Sequence, residues 1–202
     1  MEIVLASGNR GKLEEIERLI EPLGWTASPQ SAFNVPEAEE TGLTFIENAI
    51  LKARNACAHT GRPALADDSG LVVDALGGAP GVFSARYAGA GATDEANWRK
   101  LLAAMDGIPD GERSAQFRAV VVLMRDAQDA SPIIAQGTWE GTIGREARGG
   151  GGFGYDPIVY LATHNCTVAE LEAGEKDRIS HRAQALRALI DSIPMPQIAD
   201  RQ

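Results

Sequence analysis

Residues 3–12 read Ile-Val-Leu-Ala-Ser-Gly-Asn-Arg-Gly-Lys, and a helical pattern of apolar residues follows them. The first four residues are apolar and predict a buried strand. Between residues 13 and 20, leucine and isoleucine recur with the period of one helix face, and the pattern ends before Pro22. A strand, a glycine-rich turn and a helix in this order predict a protein of the α/β class.

The turn between this strand and this helix is a candidate anion site. Its backbone N–H groups and one lysine can face a phosphate. The candidate residues are Ser7, Gly8, Asn9, Arg10, Gly11 and Lys12. The Walker A spacing is absent, so the turn is not a P-loop. An ordinary turn, with Asn9 capping the helix and Lys12 in solvent, remains the alternative at this point.

Two acidic pairs are candidates for metal binding and for general-base chemistry. Glu39-Glu40 lies in a predicted loop, and Asp67-Asp68 follows a strand predicted from residue 63 to residue 66. Carboxylates at strand ends are where open α/β sheets place their chemistry. Mg²⁺ takes oxygen ligands and keeps several waters, and a carboxylate beside it can accept a proton from water. The alternative is a surface turn, because Asp-Asp-Ser-Gly has turn composition.

Two later segments carry candidate ligand-binding groups. Residues 149–157 read Gly-Gly-Gly-Gly-Phe-Gly-Tyr-Asp-Pro, a loop that can offer Phe153 as a flat face to a base. Lys176 and the segment Ser180-His181-Arg182, near the start of the last helix, can contact phosphate charge and a carbonyl acceptor. The alternatives are a flexible loop that covers the core edge and a solvated helix face.

The remaining pattern predicts three further structural features. Thr44 caps a helix that runs to about Thr60, with Glu47 at the capping-box position. Thr93 caps a helix from residue 94 to about 105. Two β-rich runs, 117–124 and 133–139, predict an antiparallel hairpin.

Composition limits the class of protein. The chain has 202 residues and a formal net charge of −9, which predicts one domain over residues 1–193 and disfavours nucleic acid as a partner. Residues 194–202 are predicted to be a frayed tail. Neither a basic leader nor an 18-residue apolar stretch is present, so we expect a cytoplasmic protein without a membrane partner.

The turn, the carboxylates, the aromatic loop and the cationic segment together complement a magnesium nucleoside triphosphate. In this combination and order the chain resembles the inosine/xanthosine triphosphate pyrophosphatase family over about residues 3–190. The segments that carry the resemblance are Ser7-Gly8-Asn9-x-x-Lys12, Glu39 to Ala49, Ala66 to Leu71, Gly78 to Tyr87, Gly152 to Pro157 and Ser180-His181-Arg182.

The resemblance implies an elongated central mixed β-sheet flanked by helices, with two lobes around a nucleotide-binding cleft, usually in a homodimer. It implies hydrolysis of ITP, dITP and XTP to the monophosphate and pyrophosphate with Mg²⁺. Glu39 and Asp68 would bind the metal, and Asp68 would also accept the proton of the attacking water. The implied substrate-binding residues are Ser7, Gly8, Asn9, Arg10, Gly11, Lys12, Ser69, Phe153, Gly154, Tyr155, Asp156, Lys176, His181 and Arg182, with Lys52 as a further phosphate candidate. Two alternatives stay open: a pyrophosphatase for other modified nucleotides, and a non-catalytic nucleotide-binding module.

Overall fold

The computed structural model describes residues 2–193, and these residues form one mixed sheet flanked by helices. The strands are β1 (Glu2–Leu5), β2 (Thr26–Pro29), β3 (Ala64–Val73), β4 (Ser114–Met124), β5 (Ile133–Ile143), β6 (Val159–Leu161) and β7 (Cys166–Thr167). The helices are α1 (Arg10–Ile20), α2 (Phe45–Thr60), α3 (Asp94–Ala104), α4 (Ala173–Ile179) and α5 (His181–Asp191). The predicted tail, 194–202, lies outside the described residues.

The sheet has the strand order β2-β1-β3-β4-β5-β6-β7. Strand β1 pairs in parallel with β2 and β3, and every later pairing is antiparallel. Strand β3 pairs with β4 along its whole length, from Ala64 opposite Met124 to Val73 opposite Ala115. The predicted α/β class and mixed sheet are confirmed.

The sheet is covered on both faces. Helices α1 and α5 bury Ile16 and Leu186 against Leu5 and Leu65. Helix α2 packs its alanine stripe against the opposite face, beside Ala66. A third hydrophobic cluster, at the far end of the sheet, consists of residues of α3 packed against Leu71 and residues of β4 to β6. Strands β3 and β4 contribute residues to all three clusters and therefore lie at the centre of the fold.

The helix starts predicted at Thr44 and Thr93 are confirmed, and Asn9 caps α1, as the alternative reading of the first turn expected. The Asn9 side chain accepts the Lys12 N–H, Thr44 and Glu47 form a reciprocal capping box, and Thr93 accepts the Ala96 N–H. The predicted hairpin is also confirmed, as β4 and β5. No helix within residues 2–193 has both the length and the apolar character that crossing a bilayer needs.

The prediction that Asp67-Asp68 ends a strand is wrong. Strand β3 continues through both residues and through Ser69-Gly70 to Val73. Turn composition is overridden here by tertiary contacts, because β4 pairs with the backbone of this segment and buried cations neutralise both carboxylates.

Candidate active site

Asp67 and Asp68 are adjacent in β3 and therefore face opposite sides of the sheet. Asp67 points toward α1 and α5, where it meets Lys12 and Arg182. Asp68 points toward α2, where it meets Lys52. One strand thus supplies a carboxylate to each of two neighbouring ion-pair networks.

The Asp67 carboxylate is a buried anchor. Its Oδ1 lies 3.0 Å from Lys12 Nζ and 3.3 Å from Arg182 Nη2, and it accepts a 2.9 Å hydrogen bond from Ser69 Oγ. Burial alone would raise the pKa of Asp67, but the charges of Arg182, Lys12 and Lys52 hold that pKa well below its ordinary value. Asp67 therefore stays ionised and fixes the cations around it.

The Asp68 carboxylate lies in the wall of an open cavity of about 510 Å³. Its side chain is 8% exposed, compared with 0% for Asp67, and its Oδ1 lies 2.7 Å from Lys52 Nζ. Burial raises the pKa of Asp68 above its ordinary value, against the opposing charges of Lys52 and Lys12. Among the described residues, Oδ2 of Asp68 is buried without a hydrogen-bond partner, as is Oδ2 of the enclosed Asp67. Of the two aspartates, Asp68 is the one that combines a carboxylate oxygen without a partner among residues 2–193 with a place in the cavity wall.

The turn from Ser7 to Lys12, predicted to bind phosphate and called the phosphate turn below, forms another wall of this cavity. Ser7, Gly8, Asn9 and Lys12 line it, whereas the Arg10 side chain lies on the surface and pairs with Glu14. The Lys12 side chain is only 15% exposed, so the alternative of a solvated lysine is wrong. Burial lowers the pKa of Lys12, and the Asp67 charge opposes that shift.

Acidic and basic side chains from other segments complete the cavity, and Glu37 and Arg86 among them were not singled out by the sequence analysis. Glu37, Glu40 and Arg86 line it, together with Lys52. Lys52 Nζ lies 3.1 Å from Glu40, and Arg86 Nη1 lies 3.2 Å from the same carboxylate. The Glu39 side chain is exposed and is not part of the wall.

A narrower slot of about 80 Å³ adjoins this cavity. Phe153 closes one side of it: the ring centroid lies 4.7 Å from Lys176 Nζ and 5.8 Å from Arg182 Cζ. The Phe153 ring also lies close to Gly11: a Cβ atom added at Gly11 would be only 2.6 Å from Cδ1 of Phe153. Gly11 is therefore required for the aromatic ring to reach the phosphate turn. The other predicted residues in the slot wall are Asn9, Lys12, Ser69, Gly154, Tyr155, Asp156, His181 and Arg182.

Buried ion pairs fix the cations of the slot. Lys176 Nζ lies 2.5 Å from Asp156 Oδ2 and 2.7 Å from Glu15 Oε1. Arg182 pairs with the other oxygen of Glu15 and with Asp67, and its Nη2 donates to Ser69 Oγ at 2.8 Å. Burial raises the pKa of Asp156 despite the charge of Lys176. The Arg182 Nε–H is buried and has no hydrogen-bond partner within residues 2–193.

His181 is held by aromatic stacking. Its ring lies 5.0 Å from the Phe117 ring at an interplanar angle of 13°, and Trp139 lies beyond at 6.3 Å. Burial and the neighbouring Arg182 lower the pKa of His181 well below its ordinary value. The imidazole is therefore neutral, and its Nδ1 has no partner among the described residues.

Comparison with known proteins shows which family combines these features. The Ham1 family model matches residues 3–192. The chain belongs to the Ham1 family. Proteins named dITP/XTP pyrophosphatase are similar to it: that of Thioalkalivibrio sulfidiphilus is 58% identical over 193 residues, which cover 96% of this chain and 98% of that protein. The one from Vibrio parahaemolyticus is 56% identical over 187 residues, covering 93% and 94%.

Solved structures agree with the assignment to the Ham1 family. A Ham1 protein from Coxiella burnetii superposes with a TM-score of 0.86 at 54% identity, covering 94% of this chain and 96% of that one. The resemblance stated from the sequence motifs is confirmed by these matches.

Within this Ham1 chain, Glu15 is the main buried polar residue of the site that sequence reasoning missed. It lies three residues after Lys12 and so on the same side of α1. A carboxylate beside an apolar helix stripe was the signal that could have found it. Phe117 and Trp139 gave no signal, because their stacking on His181 depends on contacts that are distant in sequence.

Proposed function

We propose that this Ham1 protein hydrolyses the non-standard purine nucleoside triphosphates ITP, dITP and XTP to the monophosphate and pyrophosphate. One observation carries the proposal: the large charged cavity and the narrow aromatic slot share Asn9, Lys12, Ser69 and Ala85 in their walls. One nucleotide can therefore place phosphates in the cavity and its base in the slot. The names of the similar proteins support the same activity.

In this arrangement the cations of the cavity hold the triphosphate. Lys12, Lys52 and Arg86 line the cavity, together with the backbone of the phosphate turn, and can neutralise phosphate charge. Lys12 and Lys52 are already oriented by Asp67 and Asp68, so little ordering is needed when the substrate arrives. Arg10 and Gly11 would contribute through their backbone at the start of α1.

Asp68 acts as the proton acceptor. A water oxygen forms a bond to the α-phosphorus while its proton passes to Oδ2 of Asp68, which accepts no hydrogen bond from the described part of the chain. The bond between the α-phosphorus and the bridging oxygen breaks, and its electron pair leaves with pyrophosphate. The raised pKa of Asp68 favours proton acceptance from water, while Lys52 on Oδ1 keeps the carboxylate oriented.

The donor chemistry of the cavity fits Mg²⁺ bound jointly by protein and substrate. Within residues 2–193, no three His, Cys, Asp or Glu side chains gather into a ready metal cage. Mg²⁺ commonly binds through one or two carboxylates and substrate phosphates, and the carboxylate of Asp68 in the cavity wall would supply one such ligand. Glu37 and Glu40 share the cavity wall with Asp68, while Glu39 stays a predicted ligand outside it. When bound, Mg²⁺ would neutralise charge on the phosphate oxygens and on the leaving pyrophosphate.

Base selection follows from the donors of the slot. The Nε–H of Arg182 is buried and partnerless, and Lys176 is fixed beside it. A 6-keto oxygen accepts a hydrogen bond from such a donor, whereas the 6-amino group of adenine leaves it unpaired. An unpaired buried donor costs about 1–3 kcal/mol, which favours the deaminated base over adenine. Phe153 would stack on the base within the same slot.

The substrate preference can be measured by pyrophosphate release from ITP, XTP, dUTP, GTP and ATP with Mg²⁺. We expect kcat/KM for ITP and XTP to exceed that for ATP by about 5- to 150-fold, the factor that corresponds to about 1–3 kcal/mol. Equal rates on all five nucleotides would contradict the proposal. A preference for dUTP would favour a pyrophosphatase for other modified nucleotides, and binding without pyrophosphate release would favour a nucleotide-binding module.

We also propose that two copies associate through an apolar groove beside the active site, giving a homodimer. The groove has a volume of about 600 Å³ and includes Leu43 and Phe83, which are 86% and 56% exposed. Val82 lines both this groove and the phosphate cavity. Each copy would be a single domain over residues 1–193, with two lobes around the cleft, and would act in the cytoplasm on the nucleotide pool.

Leu43→Glu is expected to convert the dimer into a monomer, because a charge placed in a buried apolar contact is strongly unfavourable. Sedimentation velocity of the wild type and the variant measures this change. Leu23→Glu, at an exposed leucine outside the groove, is the control and should leave the dimer intact. A monomeric wild type, or a dimeric Leu43→Glu variant, would refute the proposed interface.

A further inference from the structure

The loop that carries Phe153 is held by hydrogen bonds to two carboxylates. The Phe153 N–H donates to Asp156 Oδ2 at 2.9 Å, within the loop itself. The next N–H, that of Gly154, donates to Asp94 Oδ2 at 2.7 Å. Asp94 lies 60 residues away in sequence, so the second bond joins the loop to a different part of the fold.

The chain turns at Gly154, the residue that makes this second bond. Gly154 has a φ of +61°, a left-handed conformation that glycine adopts without a steric penalty and that sets the direction of the chain toward Tyr155. The acceptor is a carboxylate, and charged acceptors form stronger hydrogen bonds than neutral ones. Asp94 therefore defines where the loop turns immediately after the aromatic residue.

Asp94 is itself held in place by a well-anchored helix. It is the first residue of α3, directly after the Thr93 cap. One turn on, the buried Asn97 accepts the Ala88 N–H at 2.7 Å and donates to the Ala85 carbonyl at 3.1 Å. Leu101, further along α3, packs in the same core cluster as Tyr155. The helix start is thus fixed relative to both the loop and the slot wall, to which Ala85 belongs.

From these contacts we infer that Asp94 is a positioning residue for base recognition, acting through Phe153. By holding the Gly154 N–H, it keeps the Phe153 ring over Lys176 and against Gly11, where the ring closes the slot. The inference rests on the proposed function, because the ring is positioned for a base. Asp94 does not contact the reacting phosphate, so its loss affects binding of the base and not the chemical step.

The negative charge of Asp94 and its hydrogen bond to Gly154 predict opposite effects on nucleotide binding when Asp94 is replaced. Asp94 lies at the rim of a site for a polyanion, so removing its negative charge would by electrostatics alone favour nucleotide binding. Removing the acceptor of the Gly154 N–H would instead weaken binding by releasing Phe153. The sign of the change in KM therefore separates the two effects.

The test compares Asp94→Ala, Asp94→Asn and Glu95→Ala in ITP hydrolysis. We expect Asp94→Ala to raise KM about five- to tenfold with kcat within about twofold of the wild type. Asp94→Asn retains a neutral acceptor and should restore part of the affinity. Glu95→Ala removes the neighbouring charge from the first turn of α3 and should leave KM unchanged, which controls for helix-dipole effects.

Two further measurements distinguish positioning from a general structural role. In a Phe153→Ala background, Asp94→Ala should add less than about a twofold rise in KM, because its target is absent. The inhibition constant of inorganic tripolyphosphate, which has no base, should be the same in Asp94→Ala and wild type. The inference is overturned if Asp94→Ala leaves KM unchanged, if its effect persists undiminished without Phe153, or if tripolyphosphate binding weakens equally.

Failure of the proposed function gives a different result. In that case the wild type itself would release no pyrophosphate from ITP, whatever residue stands at position 94. The dissociation constant of ITP measured by calorimetry would then replace KM in the same set of variants. A tighter or unchanged dissociation constant for Asp94→Ala would still overturn the inference.

Discussion

Asp68→Asn is expected to lower kcat for ITP by about 10²–10⁴-fold, the usual contribution of a positioned general base. The amide keeps the shape of the side chain but cannot accept the proton of the attacking water. ITP affinity, measured by calorimetry, should remain largely intact, since Lys12 and Lys52 still line the phosphate cavity. Asp74→Asn, at an exposed aspartate directly after β3, is the control and should retain full activity. Undiminished turnover in Asp68→Asn would remove Asp68 from the mechanism.

The same assignment predicts the acid limb of the pH profile. Asp68 accepts a proton only when ionised, and burial raises its pKa. In kcat/KM, which reports the enzyme before substrate and metal bind, activity should therefore be present above this raised pKa and fall as pH drops through it, at a higher pH than an ordinary aspartate would give. The residual activity of Asp68→Asn should not show this limb. A wild-type profile that is flat down to the ordinary aspartate range would contradict a raised pKa.

Arg182→Met is expected to lower the free energy of unfolding by about 3–5 kcal/mol, the usual cost of removing one partner from a buried ion pair. The Arg182 side chain is 1% exposed and pairs with both Glu15 and Asp67. Methionine fills similar space but leaves part of the negative charge of Glu15 and Asp67 unbalanced in the interior. Urea unfolding followed by circular dichroism measures the loss.

Arg187→Met is the matched control, since Arg187 is an exposed arginine of the same helix. Its replacement should change the unfolding free energy by less than about 0.5 kcal/mol. A second variant, Arg182→Met combined with Glu15→Gln, removes one of the unbalanced carboxylates and should recover part of the stability. Equal stabilities of Arg182→Met and Arg187→Met would show that the ion-pair network contributes little.

The parts of the fold that follow local rules could be read from the sequence. Helix starts at Asn9, Thr44 and Thr93 each depend on a side chain that accepts the backbone N–H three residues later, and the structure has all three. The phosphate turn and the glycine-rich aromatic loop were also predicted correctly as breaks in regular structure. These features need no information from distant residues.

Strand β3 shows where local rules fail. Asp-Asp-Ser-Gly has the composition of a turn, yet it lies in the middle of a ten-residue strand. The carboxylates are tolerated there because Lys12, Lys52 and Arg182 arrive from three different helices. Two further contacts also join residues that are distant in sequence and so could not be predicted from it. They are the ion pair between Glu15 and Lys176 and the hydrogen bond from the Gly154 N–H to Asp94. Composition within a short window contains none of this information.

The two aspartates of β3 also determine which insertions and deletions in this strand are compatible with the folded site. The strand is locked in register by β1 on one side and by β4 on the other. Inserting or deleting one residue shortly before Asp67 would turn each carboxylate to the other face, so that the enclosed anchor and the open-cavity carboxylate exchanged places. We therefore expect β3 to tolerate single substitutions around its aspartates but no insertion or deletion of one residue. Variant libraries of this protein should keep the length of β3 unchanged.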